Sequence, residues 1–76
     1  MSEKLTRILS DTLGINAAEI SQDTAMATTP VWDSVMHLNV CMSLEAEFGV
    51  SLTPEEMIEM TSVAVIETVL RKHGVA

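Results

Sequence analysis

Apolar residues that recur at three- and four-residue intervals constrain this chain most, because that spacing is typical of helices that bury one face. A first helix is predicted over residues 3–13, with Ser2 as its N-cap and Gly14 as its stop. Its inward face is predicted to consist of Leu5, Ile8, Leu9, Thr12 and Leu13. Strand-like alternation is scarce, so an all-α fold is expected.

A long polar connection, residues 15–33, precedes the second helix. Pro30 disfavours helical backbone at Thr29, so no helix is expected to cross this point. One helical turn is predicted at residues 17–20, with two inward anchors, Ile15 and Ile20. A connection of this length in so small a domain predicts a functional segment or a packed crossover.

The second helix is predicted to begin at residues 33–34, capped by Asp33, and to end at residues 48–49, where Gly49 stops it. Its apolar stripe is wider than one core face requires, so part of it is expected to meet a ligand or a partner. The stripe consists of Val35, Leu38, Val40, Cys41, Met42, Leu44 and Phe48.

Two more helices are predicted near the C-terminus. A short one runs from Pro54 to residue 59 or 60, and Thr53 and Glu56 form its capping box. The last runs from its cap, Ser62, to Lys72, with a buried face made of Val63, Ile66, Val69 and Leu70. The expected architecture is one domain, residues 1–76, folded as a four-helix bundle of three longer helices and one short helix.

The charge distribution excludes nucleic-acid binding. The 76-residue chain has 11 acidic and four basic residues, for a net charge of −7, and has no Lys or Arg between Ile8 and Leu70. Such a surface repels phosphates, whereas it attracts basic patches on other proteins. Solubility alone explains the same charge equally well.

The sequence predicts a soluble, cytoplasmic monomer that neither spans nor binds a membrane. The single cysteine, Cys41, permits no internal disulfide, which fits a reducing compartment. The N-terminus lacks the apolar run of a secretory signal, and no stretch reaches the roughly 20 apolar residues of a membrane span.

No catalytic or metal site is predicted. His37 and His73 are far apart in the sequence, and one cysteine does not make a zinc site. A catalytic triad of Ser34, His37 and Asp33 is not expected, because nothing in the sequence supplies an oxyanion hole or a substrate cleft and because Asp33 is expected to cap a helix. The Asp33–Ser34 pair nevertheless places a hydroxyl where a phosphate ester would meet unpaired backbone N–H groups, although an ordinary cap explains the pair as well.

Four segments together resemble the acyl carrier protein family, which binds phosphopantetheine: residues 32–38 (WDSVMHL), 44–50 (LEAEFGV), 52–56 (LTPEE) and 61–63 (TSV). The resemblance implies that a phosphopantetheinyl transferase moves 4'-phosphopantetheine from coenzyme A to Ser34, within a motif that includes Asp33. The arm's thiol would hold acyl or aminoacyl groups as thioesters for delivery to ligases, synthases and transferases. The carrier itself would not be an enzyme.

The resemblance also implies docking residues. Acids of the second and third helices would meet basic patches on partner enzymes, namely Glu45, Glu47, Glu55, Glu56 and Glu59. The apolar part of the docking face would be Val35, Leu38 and Met42. Core positions, which could also line a cleft for an acyl chain, are Val40, Cys41, Leu44, Met60 and Ile66.

Departures from the family pattern favour a specialised pathway, such as polyketide or nonribosomal peptide synthesis. Many fatty-acid carriers have acids where this chain has Met36, His37 and Asn39, and Ala46 interrupts its later glutamates. Two alternatives remain: a housekeeping fatty acid carrier, and a helical interaction module without the arm. Trp32 either anchors the connection or takes part in docking.

Overall fold

Four α-helices make up the fold in the computed structural model, which describes residues 2–75. They are α1 (Glu3–Leu13), α2 (Ser34–Phe48), α3 (Pro54–Glu59) and α4 (Val63–Lys72). The predicted all-α fold, with three longer helices and one short one, is confirmed.

Each helix begins at a side-chain cap, because the first N–H groups of a helix have no partner within it. The cap oxygen accepts a hydrogen bond from the backbone N–H three residues later, at 3.1, 2.8, 3.1 and 3.3 Å respectively for Ser2, Asp33, Thr53 and Ser62. Two helices end at a glycine with left-handed backbone, Gly14 with φ 70° and Gly49 with φ 65°. All of these predicted boundaries are confirmed.

The connection between α1 and α2 is a packed crossover. It contains two 3₁₀ turns, Ala17–Glu19 and Met26–Thr28, the first at the predicted position. An antiparallel bridge fixes it to the segment between α3 and α4, with hydrogen bonds from Met26 N to the Thr61 carbonyl and from Val63 N to the Thr24 carbonyl, both 2.9 Å. Ile20 is buried and Ile15 packs against the core, so both predicted anchors are confirmed.

The core lies between the helices and divides the wide apolar stripe of α2 into two faces. Three residues of the stripe are buried: Val40, Cys41 and Leu44. Three others are exposed: Val35, Leu38 and Met42. The inward face packs with Met60 and Ile66, both 0% exposed, and the outward face is free to meet another molecule.

Among residues 2–75, no helix has both the length and the apolar character that crossing a bilayer requires.

Candidate functional site

Ser34 stands at the N-terminal end of α2 with its side chain exposed. Asp33 fixes this end of the helix: its Oδ1 accepts a hydrogen bond from Met36 N at 2.8 Å, and its carbonyl accepts one from His37 N at 2.8 Å. The N–H groups of Ser34 and Val35 belong to the first turn and have no intrahelical acceptor. The site therefore combines a reachable hydroxyl with the positive end of a 15-residue helix.

This arrangement fits a phosphodiester on the Ser34 hydroxyl. Backbone N–H groups and the helix dipole stabilise negative charge at this end of α2. The Asp33 carboxylate is occupied by the Met36 N–H, so it holds the helix start in place. Because Ser34 is exposed, a modifying enzyme can reach its hydroxyl without unfolding the helix.

The His37 ring is engaged away from Ser34. Its Nδ1 accepts a hydrogen bond from Trp32 Nε1 at 3.1 Å, and its Nε2 lies 2.7 Å from the Met57 carbonyl oxygen. A carbonyl can only accept, so Nε2 carries the proton and donates. With both nitrogens engaged in this way, His37 is not poised to take a proton from the Ser34 hydroxyl.

Trp32 anchors the connection. Its side chain is 1% exposed and belongs to the core, and its indole N–H is satisfied by His37. The two rings lie with centroids 6.0 Å apart. Of the two interpretations from the sequence, burial supports anchoring, because a side chain with so little exposed surface has almost nothing to offer a partner.

Cys41 is a core residue. It is buried, and burial, followed by the nearby charge of Glu45, raises the pKa of its thiol. A thiol that stays protonated is a poor nucleophile. Among residues 2–75, no group of three or more His, Cys, Asp and Glu side chains is placed to hold a metal ion.

The exposed apolar face of α2 begins one residue after Ser34. Val35 is 72% exposed, Leu38 59% and Met42 65%, and their spacing of three and four places them on one side of the helix. Ile58 of α3, 75% exposed, is a further apolar residue that the sequence prediction missed. Its outward position follows from the burial of Glu56 and Met60, because the residue midway between two buried positions of a helix turns outward, and the sequence did not predict the burial of Glu56.

The predicted docking acids lie in different places. Glu55 and Glu59 are exposed on α3, one on each side of Ile58 in the sequence. Glu47 is at the far end of α2, about 20 Å from Ser34 along the helix axis, and pairs with Arg7 of α1 at 3.6 Å. Glu45 uses one carboxylate oxygen to accept the Leu52 N–H at 2.9 Å.

Glu56 was predicted both to complete a capping box and to dock partners, and the second role is wrong. Its side chain is buried at 6% exposure. Its carboxylate accepts from Thr53 N at 2.9 Å and lies 2.8 Å from Lys72 Nζ and 3.0 Å from His73 Nε2. Those contacts, the Lys72 hydrogen bond first, lower the pKa of Glu56 to about 2. Glu56 therefore joins α3 to the end of α4 and is not available to a partner.

Comparison with known proteins gives a consistent result. The family model described as "Phosphopantetheine attachment site" matches residues 3–70. The acyl carrier protein of Clostridium acetobutylicum is 31% identical over 71 residues, which cover 93% of this chain and 92% of that protein.

Two other relatives extend the comparison. The acyl carrier protein of Rickettsia bellii is 29% identical over 73 residues, covering 96% of this chain and 85% of the relative. Polyketide-8 synthase acyl carrier protein 2 of Streptomyces avermitilis is 33% identical over 60 residues, covering 79% and 69%. The chain therefore belongs to the acyl carrier protein family, whose members carry their cargo on phosphopantetheine and are not enzymes.

Proposed function

We propose that Ser34 is the attachment residue for 4'-phosphopantetheine and that this carrier serves a specialised biosynthetic pathway in the cytoplasm. The observation that carries the proposal is the exposed Ser34 hydroxyl at the capped start of α2, inside the region that the family model matches. The cargo would be an acyl or aminoacyl group passed between the enzymes of that pathway.

The chain's own residues prepare and present the site. Asp33 fixes the first turn of α2, so the backbone of Ser34 has a defined position at the helix end. The first-turn N–H groups stabilise the negative charge of a phosphodiester there. The thiol of phosphopantetheine supplies the thioester chemistry when it is bound. The protein contributes position and recognition.

Partner enzymes would dock on the outward face of α2 together with α3. The apolar contacts would come from Val35, Leu38, Met42 and Ile58, which are exposed around the start of α2 and along α3. Glu55 and Glu59 supply the negative charge on α3. A partner surface with an apolar centre and a few basic residues at its rim would complement this face, and the charges would speed the encounter.

The composition of this face supports a specialised pathway. From residue 35 to residue 44, α2 contains no acidic residue, so its exposed side near Ser34 has no negatively charged side chain and displays Val35, Leu38 and Met42. The burial of Glu56 removes one more charge from the face. A partner recognised mostly through apolar contacts discriminates by shape rather than by net charge, which suits a dedicated set of enzymes.

The cargo of the native protein tests this proposal. The chain is purified from its native host under conditions that preserve thioesters, and its intact mass and the fragments released from Ser34 are measured. We expect an arm on Ser34 that carries a polyketide-type or aminoacyl group. A population dominated by straight saturated acyl chains would instead assign the chain to housekeeping fatty acid synthesis.

Two variants test the identity of the attachment residue independently of the pathway. Ser34→Ala should be recovered without any arm, whereas Ser51→Ala, which changes an exposed serine before α3, should be recovered fully modified. An arm on the Ser34→Ala protein would show that the attachment residue is wrong, whatever the pathway.

A further inference from the structure

His37 joins three parts of the molecule directly behind the attachment site. It lies on α2, three residues after Ser34 and so about 4.5 Å further along the helix axis. Its Nδ1 accepts from Trp32 Nε1 in the connection at 3.1 Å, and its Nε2 donates to the Met57 carbonyl of α3 at 2.7 Å. One side chain thus closes the seam between α2, α3 and the connection.

The bond from His37 satisfies a carbonyl near the end of α3, that of Met57. A helix leaves its last four carbonyls without partners inside the helix, and α3 has only six residues. The Glu56 carbonyl is satisfied by Met60 N at 3.0 Å and the Glu59 carbonyl by Thr61 N at 2.8 Å. His37 satisfies the Met57 carbonyl from a neighbouring helix, so the same bond completes α3 and attaches it to α2.

Behind the seam lies the buried core. Val40, Leu44, Met60 and Ile66 are all 0% exposed. An apolar group attached through Ser34 would reach them by separating α3 from the first half of α2, where His37, three residues after Ser34, joins α2 to the Met57 carbonyl of α3. Separation would break the bond from His37 Nε2 to the Met57 carbonyl and leave both groups without their partners, which is unfavourable in a part-buried site.

We propose that His37 is a latch that keeps cargo outside the bundle, and that this carrier therefore holds short or polar acyl groups rather than long alkyl chains. The inference rests on the proposed attachment at Ser34 and specifies the cargo class of that site. Burial of a short or polar group contributes little favourable free energy, so such a group can remain in water at little cost. A long alkyl chain would remain exposed, which is unfavourable.

The latch itself is tested without any arm. Nitrogen-15 NMR of the unmodified protein at neutral pH reports which ring nitrogen of His37 carries the proton. We expect the Nε2–H tautomer, with hydrogen bonding from the Trp32 indole visible in its proton shift. An Nδ1–H tautomer would overturn the proposal, because that nitrogen would then be unable to accept from Trp32.

Chain-length dependence tests the cargo class. The protein is loaded at Ser34 with acetyl- or dodecanoyl-pantetheine joined by a stable amide, and mass spectrometry confirms loading first. We expect both forms to have the same melting temperature and unchanged amide shifts at Val40 and Leu44. A higher melting temperature and shifted core amides with the longer chain would overturn the proposal, because a chain bound in the folded core stabilises it.

Three variants complete the test. His37→Ala should open the seam, so that the dodecanoyl form melts higher than the acetyl form and shifts the core amides. His37→Gln serves as a second variant if the alanine variant does not fold. Its side-chain amide can still donate to the Met57 carbonyl, so the melting temperatures of its two loaded forms should differ less. His73→Gln, altered at the other half-buried histidine, should, like the natural sequence, show no difference between its acetyl and dodecanoyl forms. Absence of chain-length dependence in both His37 variants would refute the latch, whereas failure to load any form at Ser34 would refute the proposed function instead.

Discussion

Glu56 and Lys72 form an ion pair with 2.8 Å between Oε2 and Nζ, and this pair joins the first turn of α3 to the last turn of α4. The contact raises the pKa of Lys72 and contributes most to the low pKa of Glu56. His73 adds a second contact to the same carboxylate. A helix of six residues has little stability of its own, so these contacts hold α3 in the position that displays Ile58 and Glu59.

Glu56 should make the protein sensitive to acid. Its pKa falls from 4.5 to about 2 on folding, so its contribution to stability is fully present above pH 4.5 and is lost as the pH falls toward 2. We expect Glu56→Gln to flatten the decline of the melting temperature across that pH range. Glu55→Gln, on the exposed neighbour, is the matched control. An unchanged decline in the Glu56 variant would contradict this role.

Trp32→Phe should destabilise the fold by about 1–3 kcal/mol, because it removes part of a buried side chain and leaves His37 Nδ1 without its donor. Urea unfolding followed by circular dichroism measures the change, since the variant has lost the only tryptophan. Val31→Ala, one residue away at an exposed position, should change stability by less than about 0.5 kcal/mol. Equal stabilities of the two variants would argue against the anchoring role.

Leu38→Ala and Met42→Ala should weaken partner recognition without weakening the fold. Both side chains are exposed, so we expect stability to change by less than about 0.5 kcal/mol. Losing an apolar docking contact that contributes more than about 1 kcal/mol to binding would lower the efficiency of phosphopantetheine transfer by about fivefold or more. The rate of phosphopantetheine transfer at increasing carrier concentration measures this. Thr68→Ala, on exposed α4 surface, is the control, and matching rates in all three would place docking elsewhere.

Added salt should raise the melting temperature. Glu55 and Glu59 are four residues apart on α3 and both exposed, so their charges repel in low salt. The net charge of −7 adds a general repulsion that ions screen. Calorimetry from low to moderate sodium chloride, and with a divalent cation, checks the effect. A melting temperature that does not change with salt would contradict it.

The sequence predicts the helix boundaries well because they are set locally. Each cap and stop depends on residues within four positions of one another, as in the Thr53–Glu56 capping box, and all are where local rules place them. The outward position of Leu38 and Met42 was also predictable, because the apolar stripe of α2 is too wide for one core face.

The contacts that the sequence did not predict join distant residues. His37 and Met57 are 20 positions apart, and Glu56 and His73 are 17 apart. No local pattern records such pairs, because they depend on how α3 packs against α2 and α4. For that reason the sequence predicts Glu56 as a surface acid, although it predicts the capping role of Glu56 correctly.

The proposed carrier role is tested most directly by the modification of Ser34. The unmodified chain is incubated with coenzyme A and a broad-specificity phosphopantetheinyl transferase, and its intact mass is measured beside those of Ser34→Ala and Ser51→Ala. We expect the natural sequence and Ser51→Ala each to gain one phosphopantetheine group and Ser34→Ala to gain none. Folded natural protein that keeps its original mass, or a Ser34→Ala protein that gains the group, would contradict it.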